Sequence, residues 1–156
     1  MINGADKMFE LQVVSNTPLT PLDDADDVAL QFLAMIGYLP KGYDPKTEAA
    51  SIQESVPYKM FLECFLGSMK RAWTVEELAA KLKTTKPTIY RHLNKLKGID
   101  LLEEVDVEKG KERKKGYRVR YGDLSKAWNF TEANVEMAMD SYRKTVDHLQ
   151  KLIEEG

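Results

Sequence analysis

The segment from Thr74 to Gly98 carries the start and stop signals of two short helices in immediate succession. Thr74 and Glu77 have the spacing of a capping box, in which each side chain satisfies a backbone N–H group at the start of a helix. Thr85 is the expected N-cap of the second helix, and Pro87 is tolerated in its first turn. Gly98 is well placed to end that helix. The segment therefore predicts two consecutive helices joined by a short turn.

Hydrophobic periodicity predicts which face of each helix is buried. In the first helix the inward residues are Leu78, Ala79 and Leu82, and in the second they are Ile89, Leu93 and Leu96. The same periodicity turns a set of mostly polar residues of the second helix toward solvent, namely Lys86, Pro87, Tyr90, Arg91 and Asn94.

The neighbouring segments predict a further helix and a β-hairpin. Residues 57–72 have a helical pattern, with one face formed by Met60, Phe61, Cys64, Phe65 and Ser68. Strands are predicted over Leu101–Val107 and Tyr117–Tyr121, and the sequence between them, EKGKERKKG, predicts a glycine-bounded charged turn. Three helices followed by a hairpin predict a winged helix-turn-helix domain over residues 56–122, so the fold class is mainly α with a small β-hairpin.

Residues 1–55 are predicted to form an N-terminal extension. Residues 7–16 are a weak strand candidate, and residues 47–53 are a helix candidate. Between them, several aspartates precede VALQFLAMIGYL over residues 28–39, where carboxylates complement the helix dipole. We expect this helix to be buried against the rest of the protein or a second chain, because it is apolar nearly all round, and Pro40, Gly42 and Pro45 to end it.

Residues 123–156 are predicted to form a C-terminal dimerisation helix, running from about Thr131 to Glu155. Its apolar side chains recur at alternating spacings of four and three, the pattern of a coiled coil. These residues, called the C-terminal seam below, are Val135, Met139, Tyr142, Val146, Leu149 and Ile153. An exposed seam would be a large apolar patch, so it predicts a homodimer. The alternative is that the seam packs back on Phe32 and Ile36 of its own chain.

Charge is distributed unevenly along the chain. The formal net charge is −2, yet residues 81–120 contain thirteen Lys and Arg against six Asp and Glu, a net +7 that leaves −9 for the remainder. A basic block within an acidic protein is what a localised polyanion-binding face requires. Several cations fall between the predicted strands: Lys109, Lys111, Arg113, Lys114 and Lys115.

The segment TVEELAAKLKTTKPTIYRHLNKLKGIDLLEEV resembles winged helix-turn-helix transcriptional regulators of the arsenic-repressor and multiple-antibiotic-repressor superfamily, particularly its archaeal members. The resemblance covers roughly residues 57–121 and rests on Leu78-Ala79, Leu82, Thr85, Thr88-Ile89, Arg91-His92-Leu93 and Leu96. It implies dimerisation through terminal helices, but such patterns do not identify the regulated genes. Lys83 is a departure, because many relatives have glycine at this turn and a positive φ is slightly unfavourable for lysine.

DNA binding requires cations for the phosphates and a rigid element that fits the major groove. In the predicted recognition helix, Arg91 is suited to guanine, Asn94 to adenine, and Tyr90 to a thymine methyl or a phosphate. Lys95 and Lys97 are suited to phosphates, and the hairpin cations to the minor groove or flanking backbone. The predicted DNA-binding residues are Thr85, Lys86, Pro87, Thr88, Tyr90, Arg91, Asn94, Lys95, Lys109, Lys111, Arg113, Lys114 and Lys115.

These residues also have plain structural interpretations. The hairpin cations can simply keep a flexible turn soluble, Tyr90 can pack against the hairpin, and Asn94 can be an ordinary surface residue. His92 adjoins the inward Leu93, and we interpret it as a structural polar group rather than a base reader or a pH switch. A winged-helix module that binds proteins in a transcription or processing complex is the main alternative function, although such modules often lose the cations kept here.

Other classes of function find little support. Cys64, His92 and His148 are the only thiol and imidazoles and lie on three predicted helices, so we expect no enzyme, no metal site and no cofactor. The N-terminus lacks a signal-peptide pattern, and the apolar stretch from Val28 to Leu39 is too short to cross a bilayer. A cytoplasmic protein without a membrane partner is expected, and a small-molecule effector is left open.

Overall fold

The structure, a computed structural model, describes residue 11, residues 24–38 and residues 49–156. The strand candidate at residues 7–16, apart from Leu11, and the predicted helix end at Pro40, Gly42 and Pro45 lie outside the described residues. In chain order the elements are α1 (Ala25–Met35), α2 (Ala49–Gln53), α3 (Val56–Lys59), a π-helix (Met60–Leu66), β1 (Trp73–Thr74), α4 (Val75–Leu82), α5 (Lys86–Gly98), β2 (Leu102–Lys109), β3 (Glu112–Val119), a 3₁₀ turn (Arg120–Gly122) and α6 (Leu124–Glu155).

The fold is a winged helix-turn-helix, as the sequence predicts. Helices α4 and α5 form the helix-turn-helix, and the antiparallel hairpin of β2 and β3 forms the wing. The sheet has one strand that the sequence analysis missed, because β1 pairs with β3 to give the order β1-β3-β2. A two-residue strand is too short to show any alternation of apolar and polar side chains.

Helix capping occurs where the sequence places it. The Glu77 backbone N–H donates to Thr74 Oγ1 over 3.2 Å, while the Glu77 carboxylate accepts from the Thr74 backbone N–H over 3.0 Å. Thr85 caps α5 by accepting from the Thr88 backbone N–H. Lys83 ends α4 in the left-handed region, with φ of 53°, so lysine occupies a position that glycine would fill without strain.

The end of α5 differs from the prediction. Gly98 remains within the helix, and the backbone turns at Asp100, whose φ is 61°. Aspartate is one of the few residues other than glycine that visits this region, because its side chain forms local hydrogen bonds. Here Arg120 Nε donates to the Asp100 backbone carbonyl, and Asn134 donates to its carboxylate.

The helix before α4 ends earlier than predicted. Residues 60–66 are π-helical, and the Gly67 N–H bonds to the Leu62 carbonyl, five residues earlier. The face predicted to be inward is buried as far as Phe65, but Ser68 lies past the end of the helix and is exposed. The expected helix over residues 57–72 is thus wrong beyond residue 66.

The wing is longer than predicted. Residues 112–116, expected in the charged turn, belong to β3, and the turn contains only Gly110 and Lys111. Gly110 has φ of 66° at the first turn position, as in the II′ turns that join twisted strands. Residues 112–115 are all charged, so the outer half of β3 lacks the apolar alternation that reveals a strand.

Helix α1 is only partly buried. Asp24 caps it and accepts from the Asp26 backbone N–H, and the first turn carries two further aspartates. Ala29, Leu30 and Leu33 are buried, whereas Val28 and Met35 are 43% and 39% exposed. Its own chain therefore covers only part of the helix, and burial of the outer apolar edge against a second chain stays a prediction.

Helix α6 begins at Leu124, seven residues before the predicted start. Its first two turns are buried at Ala127 and Thr131, where the repeat of the C-terminal seam does not extend. The Trp128 ring meets Phe32 of α1 edge-on at a centroid distance of 5.6 Å. The buried Thr131 hydroxyl donates to the Ile99 backbone carbonyl over 2.7 Å, and so ties α6 to the end of α5.

Gly116 → Ala is expected to lower the free energy of unfolding by about 1–3 kcal/mol, the usual range for overpacking. A Cβ atom at Gly116 would lie 2.5 Å from Val107 Cγ2 and 3.0 Å from Ala72 Cβ, so the wing strand or the segment before β1 must shift. Urea denaturation measures the effect. Lys111→Ala, in the exposed turn, is the control, and equal stability of the two variants would contradict this packing.

Candidate nucleic-acid interface

Helix α5 presents a polar face because its aliphatic face is fully engaged in the core. Ile89 and Leu93 are 0% exposed and Leu96 is 1% exposed. The predicted DNA-contacting residues of this helix lie on the opposite side, and its exposed members are Lys86, Pro87, Tyr90, Arg91, Asn94 and Lys95. The predicted exposure is thus confirmed, while contact with DNA stays a prediction. Tyr90 is 48% exposed, so it does not pack fully against the wing.

The central groups of this face are available to a ligand. Within the described part of the chain, Arg91 and Lys95 form no ion pair, and the Asn94 amide forms no side-chain hydrogen bond. Guanidinium and amide groups are the side chains that pair in bidentate fashion with guanine and adenine. The middle of α5 therefore offers base-reading chemistry with no competing partner among the described residues.

The threonines at the start of α5 are partly occupied. Thr85 Oγ1 accepts the Thr88 backbone N–H over 3.3 Å, and its hydroxyl lies 3.0 Å from Thr88 Oγ1, to which it donates. The Thr88 hydroxyl donates to none of the described residues. Thr88, rather than Thr85, is thus the better donor to a phosphate at this helix N-terminus.

The wing pairs opposite charges across its strands. Acids of β2 lie directly opposite cations of β3, since Glu103 faces Arg118, Asp106 faces Lys115 and Glu108 faces Arg113. The Glu103–Arg118 pair is the tightest, with 2.7 Å between Oε2 and Nε. Cross-strand ion pairs of this kind stabilise a hairpin. The wing therefore has a smaller positive field than the five cations of its sequence suggest.

Glu77, in the first turn of α4, binds a wing lysine and an arginine that precedes β1. Glu77 Oε2 accepts from Arg71 over 3.0 Å and from Lys109 Nζ over 3.1 Å. Partial burial raises the pKa of Glu77, but the Thr74 backbone N–H, Lys109 and Arg71 outweigh it and lower that pKa to about 2. The Arg71 guanidinium also lies 3.6 Å above the centre of the Trp73 ring. One carboxylate thus joins α4, β1 and the wing.

The neighbouring Glu76 bridges α5 and the wing. Its Oε1 lies 3.4 Å from Lys86 Nζ and 3.9 Å from Lys114 Nζ. The backbone N–H of Glu76 itself lowers the pKa of this carboxyl, and the two lysines lower it further, so it is ionised at neutral pH. Two of the predicted phosphate contacts are therefore already close to a carboxylate.

Lys97, also predicted to bind phosphate, is engaged within the chain. Its Nζ lies 2.8 Å from Glu104 Oε1 and 5.3 Å from the centre of the Tyr117 ring. Lys115 Nζ lies 3.7 Å from the other oxygen of Glu104. Arg71 and these paired glutamates belong to the same surface but are not among the residues predicted from the sequence. The spacing of Glu76 and Lys86 could not reveal their contact, because it depends on the crossing of α4 and α5.

The Cys64 thiol is buried and the His92 imidazole is half-buried. Cys64 is 0% exposed. Burial is the largest cause of the raised pKa of its thiol, about 11, so the thiol is protonated at neutral pH. His92 Nδ1 is buried with no hydrogen-bond partner among the described residues. Burial first, then the charges of Arg91 and Lys95, lowers the pKa of His92. Among the described residues, no group of three or more acidic, histidine or cysteine side chains could hold a metal ion.

The C-terminal seam is largely uncovered. Val135 is half-buried beside α1, but the next five seam residues are between 55% and 67% exposed: Met139, Tyr142, Val146, Leu149 and Ile153. The alternative that the seam packs on its own α1 thus holds only for Val135, which lies in the same groove as Phe32 and Ile36.

A groove of about 710 Å³ lies between α1 and the start of α6. Its apolar lining comes mainly from Val28, Phe32, Met35, Ile36, Leu124, Trp128 and Val135. None of the described helices is long and apolar enough to cross a membrane.

Comparison with known proteins supports the helix-turn-helix assignment. A family model described as a helix-turn-helix domain matches residues 61–105, from the π-helix through α4 and α5 into β2. No curated protein matches the chain. Among solved structures, a mutant of the S. aureus protein MepR bound to an oligodeoxyribonucleotide is similar, with 14% identity over 83% of this chain and 86% of that one, at a TM-score of 0.36. This likeness is too distant to transfer the role of any residue.

Glu77→Gln is expected to remove part of the acid dependence of stability. The native pKa of Glu77 is about 2 and its ordinary value is 4.5, so its ionised form stabilises the fold above pH 4.5. That contribution is lost as the pH falls from about 4.5 toward 2. Urea denaturation of both proteins at several pH values measures it. The wild type should lose its advantage over the variant toward pH 2, and a pH-independent difference would contradict the assignment.

Proposed function

We propose that the chain is a sequence-specific, double-stranded DNA-binding transcriptional regulator that acts as a homodimer. The observation that carries the proposal is the outward face of α5, where Arg91, Asn94 and Lys95 are exposed beside a cation-rich wing. In this proposal α5 enters the major groove, and the wing contacts the flanking backbone or the minor groove. The helix-turn-helix family match over residues 61–105 supports it.

The proposed contacts divide into two kinds. Arg91 and Asn94 supply base readout, and Tyr90 contacts a thymine methyl or a phosphate. The backbone contacts are assigned to Thr85, Lys86, Pro87, Thr88, Lys95, Lys109, Lys111, Arg113, Lys114 and Lys115. Of the wing cations, Lys111 forms no ion pair with the described residues and is exposed at the turn, so it is the most accessible to a phosphate.

We further propose that residues 56–122 are the DNA-binding domain, residues 123–156 the dimerisation helix and residues 1–55 an N-terminal extension. Five exposed apolar residues at heptad spacing support pairing of the C-terminal seam with a second copy. Hydrogen bonds from Thr131 to Ile99 and from Asn134 to Asp100 join α6 to the end of α5. Pairing of two α6 helices would therefore fix the separation of two recognition helices and favour a palindromic site.

Membership in the arsenic-repressor and multiple-antibiotic-repressor superfamily, in its archaeal branch and in the cytoplasm, is part of the same proposal. It rests on the pattern from Leu78 to Leu96, which the structure resolves into an inward aliphatic stripe and an outward polar face. The competing function, a protein-binding winged-helix module, would not need sequence-specific base readout and is an outcome of the next experiment.

Arg91→Ala is expected to weaken binding to a selected duplex by about 1–3 kcal/mol and to relax specificity at one base position, because a bidentate base contact is lost. Lys111→Ala should instead weaken selected and scrambled duplexes alike and reduce the log–log salt slope by about 1. Duplexes selected from a randomised pool, titrated at several salt concentrations, measure both effects. Binding that does not depend on salt, or no binding, would reject the DNA-binding function and favour the protein-binding module.

Leu149→Glu is expected to convert a dimer into a monomer, because pairing the seam would bury an unpaired carboxylate. Met137→Glu is the matched control, since Met137 is 69% exposed on the same helix but lies off the seam. Sedimentation equilibrium of the three proteins measures the change. A monomeric wild type, or equal dissociation of both variants, would show that the seam does not mediate dimerisation.

A further inference from the structure

The surface proposed to bind DNA contains a carboxylate between its cations. Glu76 is the second residue of α4, and its side chain is 45% exposed. One oxygen, Oε1, lies within 3.4 Å of Lys86 Nζ and 3.9 Å of Lys114 Nζ. The two lysines belong to different parts of the surface, the start of the recognition helix and the middle of the wing.

Carboxylate and phosphate oxygens are alternative acceptors for the same ammonium groups. A lysine that is paired with a carboxylate must exchange that partner for a phosphate when DNA binds, so the intramolecular pair opposes the intermolecular one. The pairs of Glu76 are exposed and longer than 3.3 Å, which makes them weak enough to exchange.

We propose that Glu76 is an internal competitor of the DNA backbone, which holds Lys86 and Lys114 away from phosphates and thereby sets the sequence-independent part of the DNA affinity. This inference rests on the proposed function. Since lysine–phosphate contacts carry no sequence information, the competition lowers the affinity for every duplex by the same factor and leaves base reading by Arg91 and Asn94 intact.

The adjacent Glu77 also pairs with one of the proposed phosphate contacts, Lys109, but its carboxylate is at the same time part of the fold. Its carboxylate accepts from the Thr74 backbone N–H and from Arg71 and Lys109, so it holds the capping box and the wing together. Glu76 pairs only with exposed side chains among the described residues, and its removal should leave the fold intact. The two neighbouring glutamates can therefore be separated by substitution.

The test compares the full-length wild type with Glu76→Gln on a selected duplex and on a scrambled duplex at low salt. The substitution releases Lys86 and leaves Lys114 with only Glu112, whose Oε2 is 3.9 Å away, so binding should tighten about two- to tenfold, by the same factor on both duplexes. Glu63→Gln, which makes the same charge change at an exposed position of the π-helix, is the control and should not change affinity. Thermal unfolding checks that each variant is folded.

A second arm decides whether the gain acts through the two lysines. In a background carrying Lys86→Met and Lys114→Met, Glu76→Gln should give no gain, because the cations it would release are absent. A gain that persists in that background, a gain equal to that of Glu63→Gln, or weaker binding confined to the selected duplex would overturn the inference. If the wild type binds no duplex, the proposed function fails and this inference fails with it; wild-type binding without a gain defeats the inference alone.

Discussion

The burial of three aliphatic side chains of α5 is the constraint on which the rest of this surface depends. Ile89, Leu93 and Leu96 lie at helical spacing and are almost completely inaccessible to solvent. Because successive residues are about 100° apart around a helix, any other rotation of α5 would bury a polar group in the core. Burying the Arg91 guanidinium without a partner would be far more unfavourable than burying an isoleucine is favourable. The outward polar face is thus a consequence of core packing.

The charges around this face are organised by a second set of interactions, between α4 and the wing. Glu77 joins the N-terminus of α4 to Lys109 and Arg71, and Glu104 joins Lys97 and Lys115. The result is a wing whose cations are largely compensated, next to a recognition helix whose central cations are not compensated by any described residue. Antiparallel pairing brings the acids of β2 opposite the cations of β3. The excess of positive charge over residues 81–120 is therefore concentrated on α5.

What the sequence predicted well depends on local signals. The capping box at Thr74, the N-cap at Thr85 and the α5 stripe are set by residues within a few positions of one another, and all three are found. In the α4 stripe Leu78 is buried, while Ala79 and Leu82 are half-buried. The predictions failed where a distant partner decides the structure. The predicted glycine-bounded turn includes Gly116, but this residue lies in β3, where Val107 and Ala72 leave no room for a side chain. The start of α6 was missed because Ala127 and Trp128 pack on other elements and not along the seam repeat. The contacts of Glu76 and Lys97 could not be predicted either, because they join residues on different elements.

The connection between α5 and α6 links the two halves of the proposed function. The backbone at the end of the recognition helix carries the acceptors that anchor α6: the Ile99 carbonyl binds the Thr131 hydroxyl, and the Asp100 carboxylate binds the Asn134 amide. Arg120 donates to the Asp100 carbonyl, and its guanidinium carbon lies 4.2 Å from the centre of the Phe130 ring of α6. If α6 tilts, the buried Thr131 hydroxyl loses its acceptor at 2.7 Å and keeps only the Ala127 carbonyl at 3.5 Å, so tilting α6 relative to α5 is unfavourable. If the seam pairs with a second copy, the angle between the two α6 helices must then be transmitted to the recognition helices rather than absorbed by a flexible joint. Any ligand or contact that changes that angle would act on the spacing of the two DNA half-sites.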